Sequence, residues 1–351
     1  LSTDKKSFKD LEKDVLNTGL CVACGTCVAA CPVNVLELAA GEPQLVGNCI
    51  ECGLCYRNCP RTDFDEAGMD QALFGRGRNS KELLTGVYKS AFAAKTKNNA
   101  VAGRAQDGGV VTSLLIQFIE DGGDGVIVAG LEPGKMWVPK PVVAKSSQEI
   151  INAAGTKYTV SPTLLGVKEA VKDQGLKRVA VVGTPCQIRG LSRITQDKYR
   201  NKKFTDAVAL KVGLFCMETF SYDDLVQYLK DEGVDPGRVT KFEIKSGRFY
   251  ALAGEETLHR VKLGKVKKLI RPCCHVCEDF TSEYADVSVG NVGSPDGWST
   301  VIVRTERGEK AFNAAMNSGL LEAQPIEGFD MGETLVHRLA KMKKEKEGSD
   351  E

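Results

Sequence analysis

Eight cysteines between Cys21 and Cys59 repeat one spacing twice, and thiolates at that spacing are suited to holding cubes of iron and sulfur. The stretch reads CVACGTCVAACP, a spacer, then CIECGLCYRNCP, so Cys21, Cys24, Cys27 and Cys31 before Pro32 recur as Cys49, Cys52, Cys55 and Cys59 before Pro60. The first three thiolates of each copy, with two residues between neighbours, can wrap one cube, while the next turn carries the fourth cysteine away to the other. The spacing therefore assigns Cys21, Cys24, Cys27 and Cys59 to one 4Fe-4S cluster, and Cys49, Cys52, Cys55 and Cys31 to a second. Disulfides would need an oxidising compartment, and zinc would need closed groups of four ligands. Neither predicts the prolines or the duplication.

Five cysteines remain. Cys186 follows the apolar run RVAVVG, and Cys216 ends the run VGLFCMET. If both runs are parallel strands, they deliver the two thiols to the same sheet edge, where functional sites collect. RPCCHVCEDF adds a C-x2-C pair, Cys274 and Cys277, with Cys273 beside it. A lone cysteine is ordinarily a small buried hydrophobe, but ligands from three segments suit a third cluster. Zinc is the rival there, because His275 lies within the pair; two clusters already in the chain favour iron, with His275 outside the ligand set.

Glycine turns supply the other chemistry. Asp107-Gly108-Gly109 precedes an apolar helical run from Val110, whose amino end with Thr112 and Ser113 offers unpaired N–H groups to a pyrophosphate. Gly155-Thr156-Lys157-Tyr158 and Gly183-Thr184-Pro185 are further turns of this kind. No G-x-G-x-x-G follows a strand, so the ordinary dinucleotide fingerprint is missing and NAD(P)H is disfavoured.

These residues need elements to position them. The 351-residue chain is long enough for a small module and one larger domain, at about 150 residues per domain. The expected fold is an α+β two-cluster ferredoxin-like module over residues 1–65, a linker over 66–84, and an α/β domain with a mainly parallel sheet and an added β-hairpin over 85–340. Residues 341–351 would be a charged tail. Phe8, Leu11, Val15 and Leu16 predict a helix covering the module. The strands fall at Gly125 to Ala129, Arg178 to Val182 and Val208 to Phe215. Helices fall at Val110 to Ile119, Pro162 to Lys172 behind Ser161, and Tyr222 to Lys230 behind Ser221. The hairpin spans Val239 to Leu252 around Ser246-Gly247, followed by strands near Val287 and Ser299 and a helix from Glu309. Gly75 to Ser80 reads as an exposed linker, and LAKMKKEKEGSDE as a helix fraying into solvent. The basic stretch from Arg260 to Arg271 suits a polyanion or a solvated edge strand.

Lys plus Arg number 47 against 46 Asp plus Glu, so the apoprotein presents no electrostatic case for nucleic acid. Each cluster adds roughly two negative charges, which would make the loaded protein acidic. With no apolar run of membrane-spanning length and no leader pattern, the expectation is a cytoplasmic protein without direct membrane insertion.

RPCCHVCEDFTSEYADVSVGNVGSPDGWSTVIVRT, together with QDGGVVTSLL, GTKYTVSP and GTPCQIRG, closely resembles the β subunit of coenzyme F420-reducing hydrogenase and its relatives, in the same order over about residues 85 to 305. With the two-cluster module in front, the chain is most similar to the electron-input subunit of archaeal F420 dehydrogenase complexes. That resemblance implies FAD as central cofactor, and a third 4Fe-4S cluster on Cys186, Cys216, Cys274 and Cys277. It leaves Cys273 out, because relatives often carry a small residue there. It also implies that Gly108, Gly109, Thr112, Ser113, Lys157, Tyr158, Gly183 and Thr184 line the FAD site.

The implied activity is oxidation of reduced coenzyme F420 by hydride transfer to FAD, then single-electron passage to a membrane-bound respiratory complex or a soluble ferredoxin. The complex would hold the soluble chain at the inner face of the membrane. No side chain need act as general acid or base, although Lys157 is placed to meet a reduced flavin ring or a phosphate. The same parts fit F420 reduction by a hydrogenase or formate dehydrogenase, a family member with another organic acceptor, or a non-catalytic electron-transfer adaptor.

Overall fold

The computed structural model describes residues 6–199, 202–329 and 332–345. The chain opens with α1 (Phe8–Leu11), prolonged by a wider π turn over Glu12–Leu16 and capped reciprocally by Ser7 and Asp10. Phe8, Leu11 and Val15 bury one face against Val28, Leu36 and the cysteines, as their spacing predicts. The cysteine loops carry α2 (Thr26–Ala30), the hairpin β1 (Leu36–Ala39) and β2 (Glu42–Leu45), and α3 (Leu54–Asn58).

The segment read as an exposed linker is largely exposed over Gly75 to Ser80, as expected, but it is not slack. It contains α4 (Glu66–Phe74), capped by Asp65, and then a buried ionic centre. The Arg78 side chain is only 7% exposed; it meets Asp70 at 2.7 Å and Glu283 at 2.6 Å, and donates to the Tyr284 hydroxyl at 3.1 Å. Arg76 forks onto Glu82 with two contacts of 2.6 Å, and Glu82 accepts two further backbone N–H bonds. The local sequence is glycine-rich and charged, which looks like solvent-facing chain, but its partners lie up to 206 residues away.

The large domain supplies β3 (Ser90–Thr96), α5 (Asn99–Ala102), α6 (Val110–Glu120), β4 (Gly125–Leu131), β5 (Pro139–Ala144), α7 (Ser147–Asn152) and α8 (Thr163–Lys168). Next come β6 (Val179–Gly183), α9 (Pro185–Gln196), α10 (Lys202–Ala207), β7 (Val208–Leu214) and α11 (Tyr222–Asp231). An antiparallel three-stranded sheet follows, of β8 (Lys241–Lys245), β9 (Arg248–Ala253) and β10 (Glu256–Lys262). The chain then returns through β11 (Val287–Gly290), β12 (Ser299–Val303), α12 (Glu306–Asn317), β13 (Leu321–Pro325) and α13 (Gly332–Lys344).

Eight strands form one sheet in the order β13-β3-β12-β11-β7-β6-β4-β5. The middle four, β11, β7, β6 and β4, are parallel, and the strands added on either side pair antiparallel. Runs such as VAVVG are buried on both faces, as parallel strands under helices must be. One face packs against α6 and α12 through Leu114, Phe118 and Phe312. The other packs against α8 and α9, and the apolar residues of that layer include Val22, Cys24 and Ala29 of the module. The module is thus part of the core of the large domain.

Three local expectations shift. The helix expected behind Ser161 starts one residue later, with Pro162 in the capping position and the Ser161 hydroxyl buried without a hydrogen-bond partner. The hairpin gains β10 as a third strand, and this strand carries Arg260 of the basic stretch. The carboxyl-terminal stretch does not fray where it is described: Ala340 and Lys343 are buried and Lys344 pairs with Glu283 at 3.1 Å. Residues 346–351 of the expected tail lie outside the described residues.

Arg78→Met would leave the buried Asp70 without its ion-pair partner and Glu283 with Lys344 alone. We expect a loss of about 3–5 kcal/mol in urea unfolding under anaerobic conditions, and Arg78→Lys to recover part of it. An unchanged midpoint for Arg78→Met would contradict the ionic centre's role.

Candidate functional site

The duplicated cysteine spacing is matched by a duplicated backbone. Ala23 and Glu51, each two residues after the first cysteine of its copy, both sit at φ 52°. That region is uncommon for residues other than glycine, and its use at equivalent places in both copies marks a shared loop. There the N–H groups of Ala23 and Glu51 donate to Cys21 Sγ and Cys49 Sγ, each at 3.4 Å. Gly25 and Gly53 follow at φ 82° and 73°, open α2 and α3, and so place Cys27 and Cys55 in the first turns. Both helices stop at an extended cysteine before proline, Cys31 and Cys59. The fourth thiol of each copy is turned away from its own loop.

The thiols sort into groups by their electrostatic neighbours. Burial pushes Cys27 well up, and Cys24, Cys59 and Cys21 push it the same way. Burial lifts Cys55 to about 12, and its thiol neighbours are Cys52, Cys49 and Cys31. The spacing assigns Cys21, Cys24, Cys27 and Cys59 to one set and Cys31, Cys49, Cys52 and Cys55 to the other, and Cys27 also has Cys55 of the second set as a lesser neighbour. Buried thiols that would repel one another as thiolates fit a multiply charged cationic guest, which deprotonates them on binding. Among the described residues no three His, Cys, Asp or Glu side chains converge on a point that would hold a single metal ion; ligands at the corners of a four-iron cube need no such convergence.

The remaining cysteines come from three places. Thr184 and Gln187 cap α9 and set Cys186 in its first turn, directly beyond β6. Cys216 follows β7, and a single turn over Pro272–Cys274 presents the C-x2-C pair. Cys216 has Cys274, Cys186 and Cys277 as thiol neighbours, and Cys186 has Cys277 and Cys274. Thr219 donates to Cys274 Sγ through its N–H at 3.4 Å, and its hydroxyl lies 3.5 Å away. Cys273 is buried in the apolar layer beside Cys274 and leaves Cys274 the more acidic of the pair. His275 is exposed.

The three groups stand in series. Cys186 is a neighbour of Cys24, and Cys55 is a neighbour of Cys27. The Cys31/Cys49/Cys52/Cys55 group lies at the far end of the series from Cys186, and its Cys49 and Cys52 are partly exposed. Val33, Ile50 and Cys52 help line a recess there, and Val33, Leu45, Val46 and Ile50 of the module are exposed.

The glycine turns gather at the carboxyl edge of the sheet. Gly108 donates to Ser299 Oγ at 3.1 Å, and a Cβ on it would lie 2.6 Å from both the Ala94 carbonyl oxygen and the Ser299 nitrogen. Gly109, at φ 70°, caps α6, and Gly183 ends β6 at the same edge. Asp107 stands there beside Asn291 and Lys241, its carboxyl pushed up by burial. The Tyr158 hydroxyl accepts from the Ile244 N–H at 3.3 Å and so ties the edge to the small sheet. Thr112 is buried in the first turn of α6.

Two expected site residues are engaged elsewhere. Ser113 pairs with Thr96 Oγ1 at 2.8 Å beneath α6. Lys157 donates to the carbonyls of Ala153, Ala154 and Gly155 at 2.6–3.1 Å, closing the carboxyl end of α7. Asn291 and Lys241 escaped the sequence reading, although Asn291 opens a glycine loop directly after a strand, a signal that was there to use.

Comparison with known proteins gives concordant matches. Residues 13–70 match the 4Fe-4S dicluster domain, residues 91–168 the amino-terminal part of the coenzyme F420 hydrogenase/dehydrogenase beta subunit, and residues 176–328 its carboxyl-terminal part. The beta subunit of the coenzyme F420 hydrogenase of Methanosarcina barkeri is 40% identical over 74% of this chain and 90% of its own length. A subunit of the F(420)H(2) dehydrogenase of Methanosarcina mazei is 31% identical over 94% of this chain and 91% of its own, the ferredoxin-like module included. A chain of the F420-reducing [NiFe] hydrogenase complex from Methanosarcina barkeri superposes with a TM-score of 0.72 at 39% identity, over 75% of this chain and 91% of that one.

Gly108→Ala would press a methyl group against two backbone atoms. We expect it to lose about 1–3 kcal/mol in urea unfolding, whereas Gly264→Ala, with open space around the added Cβ, leaves the midpoint in place. Equal midpoints for the two variants would refute the close approach at this edge.

Proposed function

The chain belongs to the family of coenzyme F420 hydrogenase/dehydrogenase beta subunits, and on that premise we propose that it oxidises reduced F420 on FAD and sends the electrons singly through three 4Fe-4S clusters to a partner. Family membership supports F420-linked electron transfer with iron-sulfur clusters. The observation that supports the finer reading is that the three cysteine groups bear on one another in series, Cys186 on Cys24 and Cys55 on Cys27, with α2 of the module packed on α8 and α9.

FAD, when bound, supplies the conversion of a two-electron hydride into single electrons. The chain's own residues bind and orient. Gly108 and Gly109 let the turn pack against Ala94, Thr96 and Ser299 as no Cβ would allow, and the N–H groups at the amino end of α6 would then hold a pyrophosphate. Gly183 and Thr184 present the end of β6, with the Thr184 hydroxyl 3.3 Å from Cys186 Sγ, so flavin and third cluster would be neighbours. Tyr158 walls the edge against the small sheet. Lys157, held by three carbonyls, serves this site by fixing the Gly155 turn rather than by reaching a flavin ring.

Electrons leave by the group at the far end of the series, where Val33, Leu45, Val46 and Ile50 offer a desolvated contact to a respiratory complex or a ferredoxin. Among the described residues no helix is long and apolar enough to cross a membrane, so a membrane-bound acceptor would be met by docking at its cytoplasmic side. The likeness to the hydrogenase β subunit favours a second reading, in which the same path runs inward and reduces F420.

Anaerobically purified protein should hold one FAD and about twelve irons per chain, and Cys277→Ala should hold about four fewer while Cys273→Ala keeps the full number. Eight irons in the unsubstituted protein would remove the third cluster. Reduced F420 should drive reduction of a one-electron dye; activity with NADH and silence with F420 would overturn the donor, and absence of flavin would leave only an electron-transfer adaptor.

A further inference from the structure

Arg61 follows Cys59 and Pro60 and leaves the module to enter the large domain. It donates to the Cys273 carbonyl at 2.8 Å and the Val276 carbonyl at 3.5 Å, so its guanidinium brackets the turn that holds Cys274 and Cys277. Its Nε is buried without a hydrogen-bond partner. The sulfurs of Cys277 and Cys186 are its leading anionic neighbours, and Arg61 is in turn one of the cations bearing on Cys59.

Lys343 reaches the same thiols from the other end of the chain. It lies in the last turn of α13, is 2% exposed, and donates to the carbonyl of Met217, next to Cys216. It bears on Cys216 and Cys274. The chain's other buried cations are met differently: Arg78 has three carboxylates, Arg304 donates to the carbonyls of Val87 and Thr281, and Lys211 donates to Ser192 Oγ. Arg61 and Lys343 have no carboxylate in ion-pair range among the described residues. A buried cation without an anion is costly, and both face one group of four thiols.

We infer that Arg61 and Lys343 are the fixed cations that set the reduction potential of the Cys186/Cys216/Cys274/Cys277 centre, with Arg61 acting on the Cys21/Cys24/Cys27/Cys59 centre as well. The inference rests on the three-cluster reading above. A nearby cation favours the reduced, more negative state of a cluster and raises its potential, the more so where water is excluded. Both are positioning residues: each acts through the sulfurs.

The two positions differ in reach, which gives the test an internal pattern. EPR-monitored redox titration of the full-length, cluster-loaded protein would compare Arg61→Met, Arg61→Lys, Lys343→Met and Lys343→Arg, with the third centre identified by its absence from Cys277→Ala. At unchanged iron content, Arg61→Met should lower the potentials of the third and first centres, and Lys343→Met that of the third alone. The expected shift is about tenfold in the oxidised-to-reduced ratio at fixed potential, about 59 mV for one electron. The Cys31/Cys49/Cys52/Cys55 centre should not move in either variant, and the charge-keeping variants should stay near the unsubstituted protein. Unmoved third-centre potentials in both Met variants, at full iron, would overturn the inference and leave the three-cluster reading intact. A third signal missing from the unsubstituted protein, with eight irons, would overturn both.

Discussion

Basic side chains donating to backbone carbonyls hold the cysteine loops against the large domain, and the proposed electron path depends on that fastening. Arg271 donates to the carbonyls of Cys21 and Val22, Lys172 to those of Ala29 and Cys31, and Arg193 to those of Thr62 and Asp63. Arg61 returns the contact from the module to Cys273. Hydrogen bonds from charged donors are the stronger kind, and these lie around loops whose sulfurs become anionic when loaded with iron. The same side chains thus fix the geometry and offset the charge.

The fastening permits very close backbone packing. A Cβ on Gly25 would come within 3.1 Å of the Leu165 nitrogen, and one on Gly190 within 2.3 Å of Thr26 Oγ1. The Leu164 N–H also donates to the Cys24 carbonyl. Cys24 and Cys186 become neighbours only because α2 lies directly on α8 and α9. A module joined by a flexible tether would leave that pair at variable separation. The helix α4 and the buried Arg78 centre remove such slack by tying the connecting segment to Glu283 and Tyr284.

The sequence discloses these features unevenly, for physical reasons. Cluster ligation within the module is a local matter of spacing, so its two thiol groups can be read directly, and the central strands show as apolar runs because both their faces are buried. Arg78 misleads because the glycines beside it are exposed, whereas its own side chain turns inward to Asp70 and Glu283. Lys343 misleads likewise: a lysine-rich end suggests solvent, yet one lysine of the row turns inward. β3 is inconspicuous because SAFAAKT is built of small residues, although it lies between β12 and β13. Gly108 and Gly109 stand at the edge where their turn suggested, while Ser113 and Lys157, adjacent in type and position, spend their polar atoms on packing and capping.

The central claim is a series path in which electrons reach the module only through the third cysteine group. Stopped-flow mixing of reduced F420 with the anaerobic, cluster-loaded protein, followed in the flavin and iron-sulfur absorption bands, tests it most directly when the unsubstituted protein is set beside Cys277→Ala. The account predicts that flavin reduction persists in Cys277→Ala while reduction of the two module clusters is lost or slowed by orders of magnitude. Module clusters reduced at the same rate in both proteins would contradict it.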